Sequence, residues 1–82
     1  MELEEAFGQV IRRLRQERGW SQEQLGFEAG VDRNYISLIE LGKNSPSLKM
    51  LSRLSAAFDV APSDLLLAAE ARTRKRSRPS ST

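Results

Sequence analysis

The chain has 82 residues, of which 39% are hydrophobic, and it carries a formal net charge of +2. Chains of this length bury only about 60% of their unfolded surface, which suffices for one modest core. Cysteine and histidine are absent, which excludes disulfides, the common zinc sites and the usual Ser/His and Cys/His nucleophile arrangements. We therefore expect one domain, no metal or other cofactor, and no enzymatic activity.

The positive charge is concentrated at the C-terminal end. Five cations lie in residues 72–82, so residues 1–71 carry eight Lys and Arg against eleven Asp and Glu, a balance of −3. A basic pI is evidence for nucleic-acid binding only when the charge is clustered on the binding face. The N-terminus lacks a signal-peptide pattern, and no segment is apolar enough to span a membrane. We expect a cytoplasmic protein with no membrane association.

Apolar residues at helical spacing predict a first helix that ends at Gly19. These residues are Leu3, Phe7, Val10, Ile11 and Leu14. A second helix is predicted to begin at Ser21, which forms a capping box with Gln24, while Trp20 and Leu25 are spaced as a hydrophobic staple. Trp20 is therefore interpreted as core rather than as a platform for stacking bases.

The second helix is predicted to end at Gly30, and a third to begin at the N-cap Asp32 and end at Gly42. Two short helices separated by three residues around a glycine form a helix-turn-helix, here about residues 21–41. Gly26 lies within the second helix, where glycine costs up to about 1 kcal/mol. Its position therefore indicates a close contact with the neighbouring helix.

Two more helices complete an all-α pattern of five, with no convincing strand. Ser47 is predicted to cap the fourth helix, Asp59 to take the following turn, and Pro62 to open the fifth. The inward stripe of the fourth helix is predicted to be Leu48, Leu51, Leu54 and Phe58. Residues 72–82 are charged and rich in Pro and Ser, which predicts a basic, disordered tail behind a domain at 1–71. This tail is equally consistent with a solvated terminus and with an arm that binds phosphates.

The third helix has one apolar face and one face with side chains suited to reading DNA. At 100° per residue, Arg33, Asn34 and Ser37 fall opposite Ile36 and Ile39. Arg and Asn carry planar, forked groups that match the edges of guanine and adenine in the major groove. The alternative interpretation of these residues is an ordinary solvated helix N-terminus.

Three consecutive leucines in the fifth helix indicate self-association. Leu65, Leu66 and Leu67 span about 200° of a helix and cannot all face the interior of one small domain. A two-fold dimer would bury the outward leucines, for which we select Leu66 and Leu67, and would place two recognition helices about 34 Å apart.

Residues 6 to 68 resemble the Cro and lambda-repressor (XRE-type) family of helix-turn-helix regulators. The resemblance rests on the Gly-x-Ser-Gln start of the second helix, the Ala-Gly-Val turn, the Tyr-Ile-Ser recognition helix and the Gly-Lys-x-x-Pro-Ser loop, all within "LRQERGWSQEQLGFEAGVDRNYISLIELGKNSPSLKMLSRLSAAFDVAPSDLL". It implies a five-helix lambda-repressor-like domain, a homodimer, and a palindromic or near-palindromic double-stranded DNA operator.

The resemblance also assigns roles to individual positions. It places Leu38 against a thymine methyl, beside the base-reading Arg33, Asn34 and Ser37. It places Gln22, Tyr35, Lys43 and Asn44 at the DNA backbone, with Gln22 also bracing the first residue of the recognition helix. Leu38 and Leu41 depart from the family, which often has polar or basic residues there, and Asp59 replaces a common glycine.

The function implied is that of a sequence-specific transcriptional regulator. A chain of this length leaves no room for a separate sensor domain, so we expect no small-molecule ligand and control through concentration and dimerisation. Size and architecture resemble restriction-modification controller proteins first, then stand-alone phage repressors and antitoxins. The alternative is a protein-interaction or antitoxin-like module on the same fold, which the acidic body favours and the Gln22, Arg33 and Asn34 pattern opposes.

Overall fold

The computed structural model describes residues 1–73, which form five α-helices and no strand. The helices are α1 (Leu3–Glu17), α2 (Gln22–Ala29), α3 (Arg33–Glu40), α4 (Leu48–Ala57) and α5 (Pro62–Thr73). The predicted all-α class with five helices is therefore confirmed. None of the helices within this range has the length and apolar character of a membrane span.

The helix boundaries follow local capping signals. The side chains of Ser21, Asp32 and Ser47 each accept a hydrogen bond from a backbone N–H in the first turn of α2, α3 and α4. Gly30 and Gly42 adopt left-handed φ angles of 72° and 76° after α2 and α3. Residues with a Cβ rarely adopt such angles. These caps set the ends of the helix-turn-helix.

One capping detail differs from the predictions, and one adds to them. The capping box of α2 is half formed, because the Gln24 side chain donates to Glu28 at 2.9 Å rather than returning to Ser21. At α5 the Asp64 carboxylate accepts the backbone N–H of Ala61 at 3.0 Å, which is one half of a capping box; the Ala61 side chain cannot make the other half. Asp59 takes the predicted turn with a φ of 58°.

The core lies where α1 packs against α3 and α5, with α2 and α4 closing it. It consists of Ala6, Phe7, Val10, Ile11, Leu25, Ala29, Ile36, Ile39, Leu51, Leu54, Phe58, Leu65 and Ala69. Trp20 packs against this core and stacks on Phe58 with 5.8 Å between ring centroids, which confirms its interpretation as a packing residue.

Three sequence-based assignments need correction. Leu48 does not join the inward stripe of α4, since it is 83% exposed, and Leu3 at the start of α1 is 48% exposed. Each is the first residue of its helix, and a helical side chain leans toward the preceding turn, which is missing there. The predicted tail also starts too early, because α5 continues through Arg72 to Thr73 and Arg72 donates to Gln9 at 2.7 Å. The rest of that tail, 74–82, lies outside the described residues.

Candidate nucleic-acid interface

Helix α3 is held against the body of the domain along its apolar face. Ile36 and Ile39 are fully buried, which fixes the rotation of the helix about its axis. At its start, the Asp32 carboxylate accepts the Asn34 N–H at 2.9 Å. After its end, the Lys43 N–H donates to the Leu38 carbonyl at 2.9 Å. The face opposite the buried isoleucines is therefore presented outward in a defined orientation.

Two glycines allow the neighbouring helices to approach α3 and its N-terminal turn. A Cβ on Gly8 of α1 would collide with the Ile39 carbonyl and lie 2.8 Å from that of Glu40. A Cβ on Gly26 of α2 would lie 2.7 Å from the Val31 carbonyl, which confirms the close contact predicted for that residue. Any larger side chain at either site would force the helices apart.

A buried ion pair ties the end of α3 to α1. Arg15 binds the Glu40 carboxylate through two hydrogen bonds, from Nε at 2.7 Å and Nη2 at 2.9 Å, and its Nη1 donates to the Trp20 carbonyl at 2.9 Å. The side chains of Arg15 and Glu40 are only 13% and 4% exposed. The hydrogen bond to Glu40 raises the pKa of Arg15, while burial acts in the opposite direction, so the Arg15 guanidinium is charged at neutral pH.

Gln22 joins this network from the start of α2. Its side-chain amide donates to Glu40 at 3.1 Å, so it braces the last residue of the recognition helix rather than the first, which corrects the sequence-based expectation. The first N–H groups of a helix have no intrahelical acceptor. Those of Gln22 and Glu23 donate to no other acceptor among residues 1–73, and such N–H groups are suited to an anion.

The side chains predicted to read bases share the outer face of α3. Arg33 and Asn34 are exposed, Ser37 is half-buried, and Leu38 is 39% exposed. Within the described part of the chain, no hydrogen bond or ion pair engages the side chains of Arg33, Asn34 or Ser37. Forked donors and acceptors are thus presented with their bonding capacity intact.

The residues predicted to touch the DNA backbone fall into two environments. Lys43 is exposed and Asn44 is half-buried in the loop between α3 and α4. Tyr35 is half-buried beside this loop. Burial raises the pKa of Tyr35 above its ordinary value and the Ser47 backbone partly lowers it. The Tyr35 hydroxyl is therefore protonated at neutral pH and can donate to a phosphate oxygen.

As their spacing predicts, the three consecutive leucines of α5 do not all face the core. Leu65 is buried, while Leu66 and Leu67 are 42% and 61% exposed. They lie on a different helix from the residues predicted to read bases, so contact with a second copy does not require covering the outer face of α3.

Sequence reasoning missed the residues that position the interface. The sequence singles out none of Gly8, Arg15 and Glu40 as a site residue. Gly8 had a local signal, because glycine within a helix indicates close packing, as it did at Gly26. Arg15 and Glu40 are 25 residues apart, and no local pattern joins them.

Comparison with known proteins agrees with this geometry. The helix-turn-helix family model matches residues 11–65. Over 61 residues the chain is 44% identical to control protein C.BamHI from Bacillus amyloliquefaciens, covering 73% of this chain and 75% of that protein. It is 40% identical over 60 residues to the HTH-type transcriptional regulator SinR from Bacillus subtilis, covering 72% of this chain. The chain spans 54%, about half, of the length of SinR.

A solved structure gives the same result for the fold. The restriction-modification controller protein C.AhdI from Aeromonas hydrophila superimposes with a TM-score of 0.72 at 41% identity, covering 74% of this chain and 92% of that chain. The matched proteins are regulators, and no enzymatic family is indicated. The chain therefore belongs to the XRE-type helix-turn-helix family of transcriptional regulators, with restriction-modification controller proteins among its relatives.

Proposed function

We propose that this protein binds a palindromic or near-palindromic operator as a homodimer, with α3 of each subunit in the major groove. The observation that carries the proposal is the contrast between the two sides of α3. Its inner side is fixed by buried isoleucines and by the Glu40 network, while Arg33, Asn34 and Ser37 remain unengaged on the outer side. A rigidly mounted helix with free polar side chains is suited to reading base edges.

Each outer side chain has a role that its chemistry supports. Arg33 donates both arms of its guanidinium to guanine O6 and N7, and Asn34 pairs with adenine N6 and N7. Ser37 forms a single hydrogen bond to a base edge, and Leu38 contacts a thymine methyl. These contacts supply sequence preference, because each good bidentate pair contributes about 1–3 kcal/mol of discrimination.

The DNA backbone is held from both sides of α3. The free N–H groups at the start of α2, beside Gln22, receive one phosphate. Lys43, Asn44 and the Tyr35 hydroxyl receive phosphates on the other side. Since residues 1–71 are acidic overall, affinity depends on two half-sites bound together, which raises it through effective concentration. Contact between Leu66 and Leu67 of the two subunits provides that link.

Similarity to C.BamHI and C.AhdI favours the role of a restriction-modification controller over that of a phage repressor or an antitoxin. The proposed regulator acts in the cytoplasm. The proposed function includes no catalytic activity.

The test is selection of an operator from a random DNA pool, followed by binding measurements with Arg33→Ala. We expect the substitution to cost about 1–3 kcal/mol on the selected operator and to relax preference at one base position in each half-site. Arg13→Ala, which removes an exposed arginine from the α5 side of α1, is the matched control and should retain the preference. Equal weakening on operator and random DNA would limit Arg33 to phosphate contact. Failure to select any sequence would favour a protein-interaction module instead.

A further inference from the structure

The chain contains two asparagines, Asn34 and Asn44, and their backbone surroundings differ. Asn34 lies in the first turn of α3, where the next N–H along the chain, that of Tyr35, donates to the N-cap carbonyl at 3.0 Å. Asn44 lies outside the helices, in the α3–α4 loop, and the next N–H belongs to Ser45. Among the described residues, the Ser45 N–H donates to no acceptor. The backbone nitrogen after Asn44 is therefore free, and the one after Asn34 is engaged.

A free backbone nitrogen can attack the side chain of the asparagine before it. When the Ser45 nitrogen attacks Asn44 Cγ, a bond forms between these two atoms and the bond from Cγ to the side-chain nitrogen breaks. That nitrogen takes up the proton of the Ser45 N–H and leaves as ammonia. The product is a cyclic imide, which water opens at either carbonyl to give aspartate or isoaspartate. The sequence of steps consumes water and needs no oxidant or metal.

We propose that Asn44 is a site of spontaneous deamidation, which turns its amide into a carboxylate and weakens DNA binding as each molecule ages. The local structure favours the attack. Ser45 is exposed and its side chain is small, so little shields its nitrogen. The Asn44 amide makes no hydrogen bond to the described part of the chain, so its carbonyl carbon is free to turn toward that nitrogen.

The surroundings of Asn44 also admit water. Asn44 and Ser45 line a surface depression of about 350 Å³, and a water molecule takes up about 30 Å³ in the liquid. Water can therefore reach the imide, and ammonia can leave. The far side of the depression carries three carboxylates around the start of α1, those of Glu2, Glu4 and Glu5. Lys43 is the one cation in its lining, so a new carboxylate at position 44 makes an acidic surface more acidic.

The consequence for DNA rests on the proposed function, which places Asn44 at the DNA backbone. The asparagine NH2 group can donate to a phosphate oxygen, whereas a carboxylate only accepts and carries the same sign of charge as phosphate. Losing a hydrogen bond to a charged group corresponds to roughly tenfold weaker binding or more. Because phosphate contacts carry no sequence information, we expect the loss on operator and random DNA alike.

The first experiment follows the purified full-length protein by peptide mass spectrometry during incubation at physiological temperature and pH. Trypsin cleaves after Arg33 and Lys43, so the two asparagines fall in different peptides. We expect the deamidation mass shift in the Asn44 peptide and not in the Asn34 peptide, which is the matched internal control. Ser45→Pro removes the attacking N–H and should abolish the shift. Equal conversion of both asparagines, or undiminished conversion in Ser45→Pro, would overturn the proposal.

The second experiment compares DNA binding by fresh and incubated protein. Affinity should fall as the deamidated fraction rises, and freshly made Asn44→Asp should bind as weakly as converted protein. Incubated Ser45→Pro should keep its own initial affinity. Conversion of Asn44 without loss of affinity would refute the effect on DNA. Failure of the fresh protein to select any operator would instead refute the proposed function, and the mass measurement would still decide whether Asn44 deamidates.

Discussion

Substituting Glu40 by glutamine tests whether the buried network holds the recognition helix in place. In the folded protein the Glu40 carboxylate accepts hydrogen bonds from Arg15 Nε, Arg15 Nη2 and Gln22 Nε2. A glutamine keeps one acceptor oxygen and turns an NH2 group toward a donor. Arg15 is then left as a mostly buried cation without its counter-ion.

The expected loss follows from this arrangement. Removing one partner of a buried ion pair costs about 3–5 kcal/mol. Because the Arg15 side chain is still 13% exposed, water compensates part of the charge, and we expect the lower end, about 3 kcal/mol. Proteins of this kind have a total stability of about 0.05–0.15 kcal/mol per residue, so this is a large fraction of the free energy of unfolding.

Urea unfolding followed by circular dichroism measures the effect. Glu17→Gln is the matched control, since it breaks the Arg13–Glu17 pair on α1, the helix that also carries Arg15. Both side chains of that pair are more than half exposed, at 57% and 59%. That change should cost about 0.5 kcal/mol or less. Similar losses for the two variants would refute the structural role of the network. Combining Arg15→Met with Glu40→Leu removes both charges together and should recover most of the lost stability.

Three further predictions test the packing, the capping and the tail. Gly8→Ala should destabilise the protein to urea by about 1–3 kcal/mol despite the better helix propensity of alanine, because the Cβ would collide with the Ile39 carbonyl; a gain in stability would contradict the close contact. Ser47→Ala should cost about 1 kcal/mol through loss of the cap on α4, whereas the exposed Ser52→Ala should be near neutral in the same assay. Ending the chain after Thr73 removes cations at positions 74, 75, 76 and 78, and should weaken operator and random DNA alike and flatten the dependence of log K on log salt. An unchanged salt slope would leave the tail without a role in DNA binding.

Local signals were enough to predict most of the helix boundaries and the orientation of α3. Ser21, Asp32 and Ser47 act as caps because the N–H groups they bind lie two or three residues away. The outer face of α3 could be assigned because burial of Ile36 and Ile39 determines which residues point away from the core. The roles of Arg33 and Asn34 at DNA bases stay predictions.

The positions that a local pattern misplaced depend on neighbours distant in the chain. Leu48 has the spacing of a core residue, but it is the first residue of α4 and no neighbouring helix covers it, so the side chain stays 83% exposed. Gln22 was expected to brace the first residue of α3, yet the carboxylate within its reach belongs to Glu40. Helical periodicity gives the direction in which a side chain points from its helix axis. It does not reveal which residues of other helices the side chain meets.

The sequence therefore determines five capped helices and a recognition helix with one apolar and one polar face, because these features depend on residues within one or two helical turns. The orientation of that helix in the domain depends on the packing of α1, α2 and α3 against one another. Packing brings Arg15 to Glu40 across 25 residues and places Gly8 against the end of α3. Burying an ion pair is costly by itself. The Arg15–Glu40 pair is stable because the surrounding helices exclude water and supply its remaining hydrogen bonds.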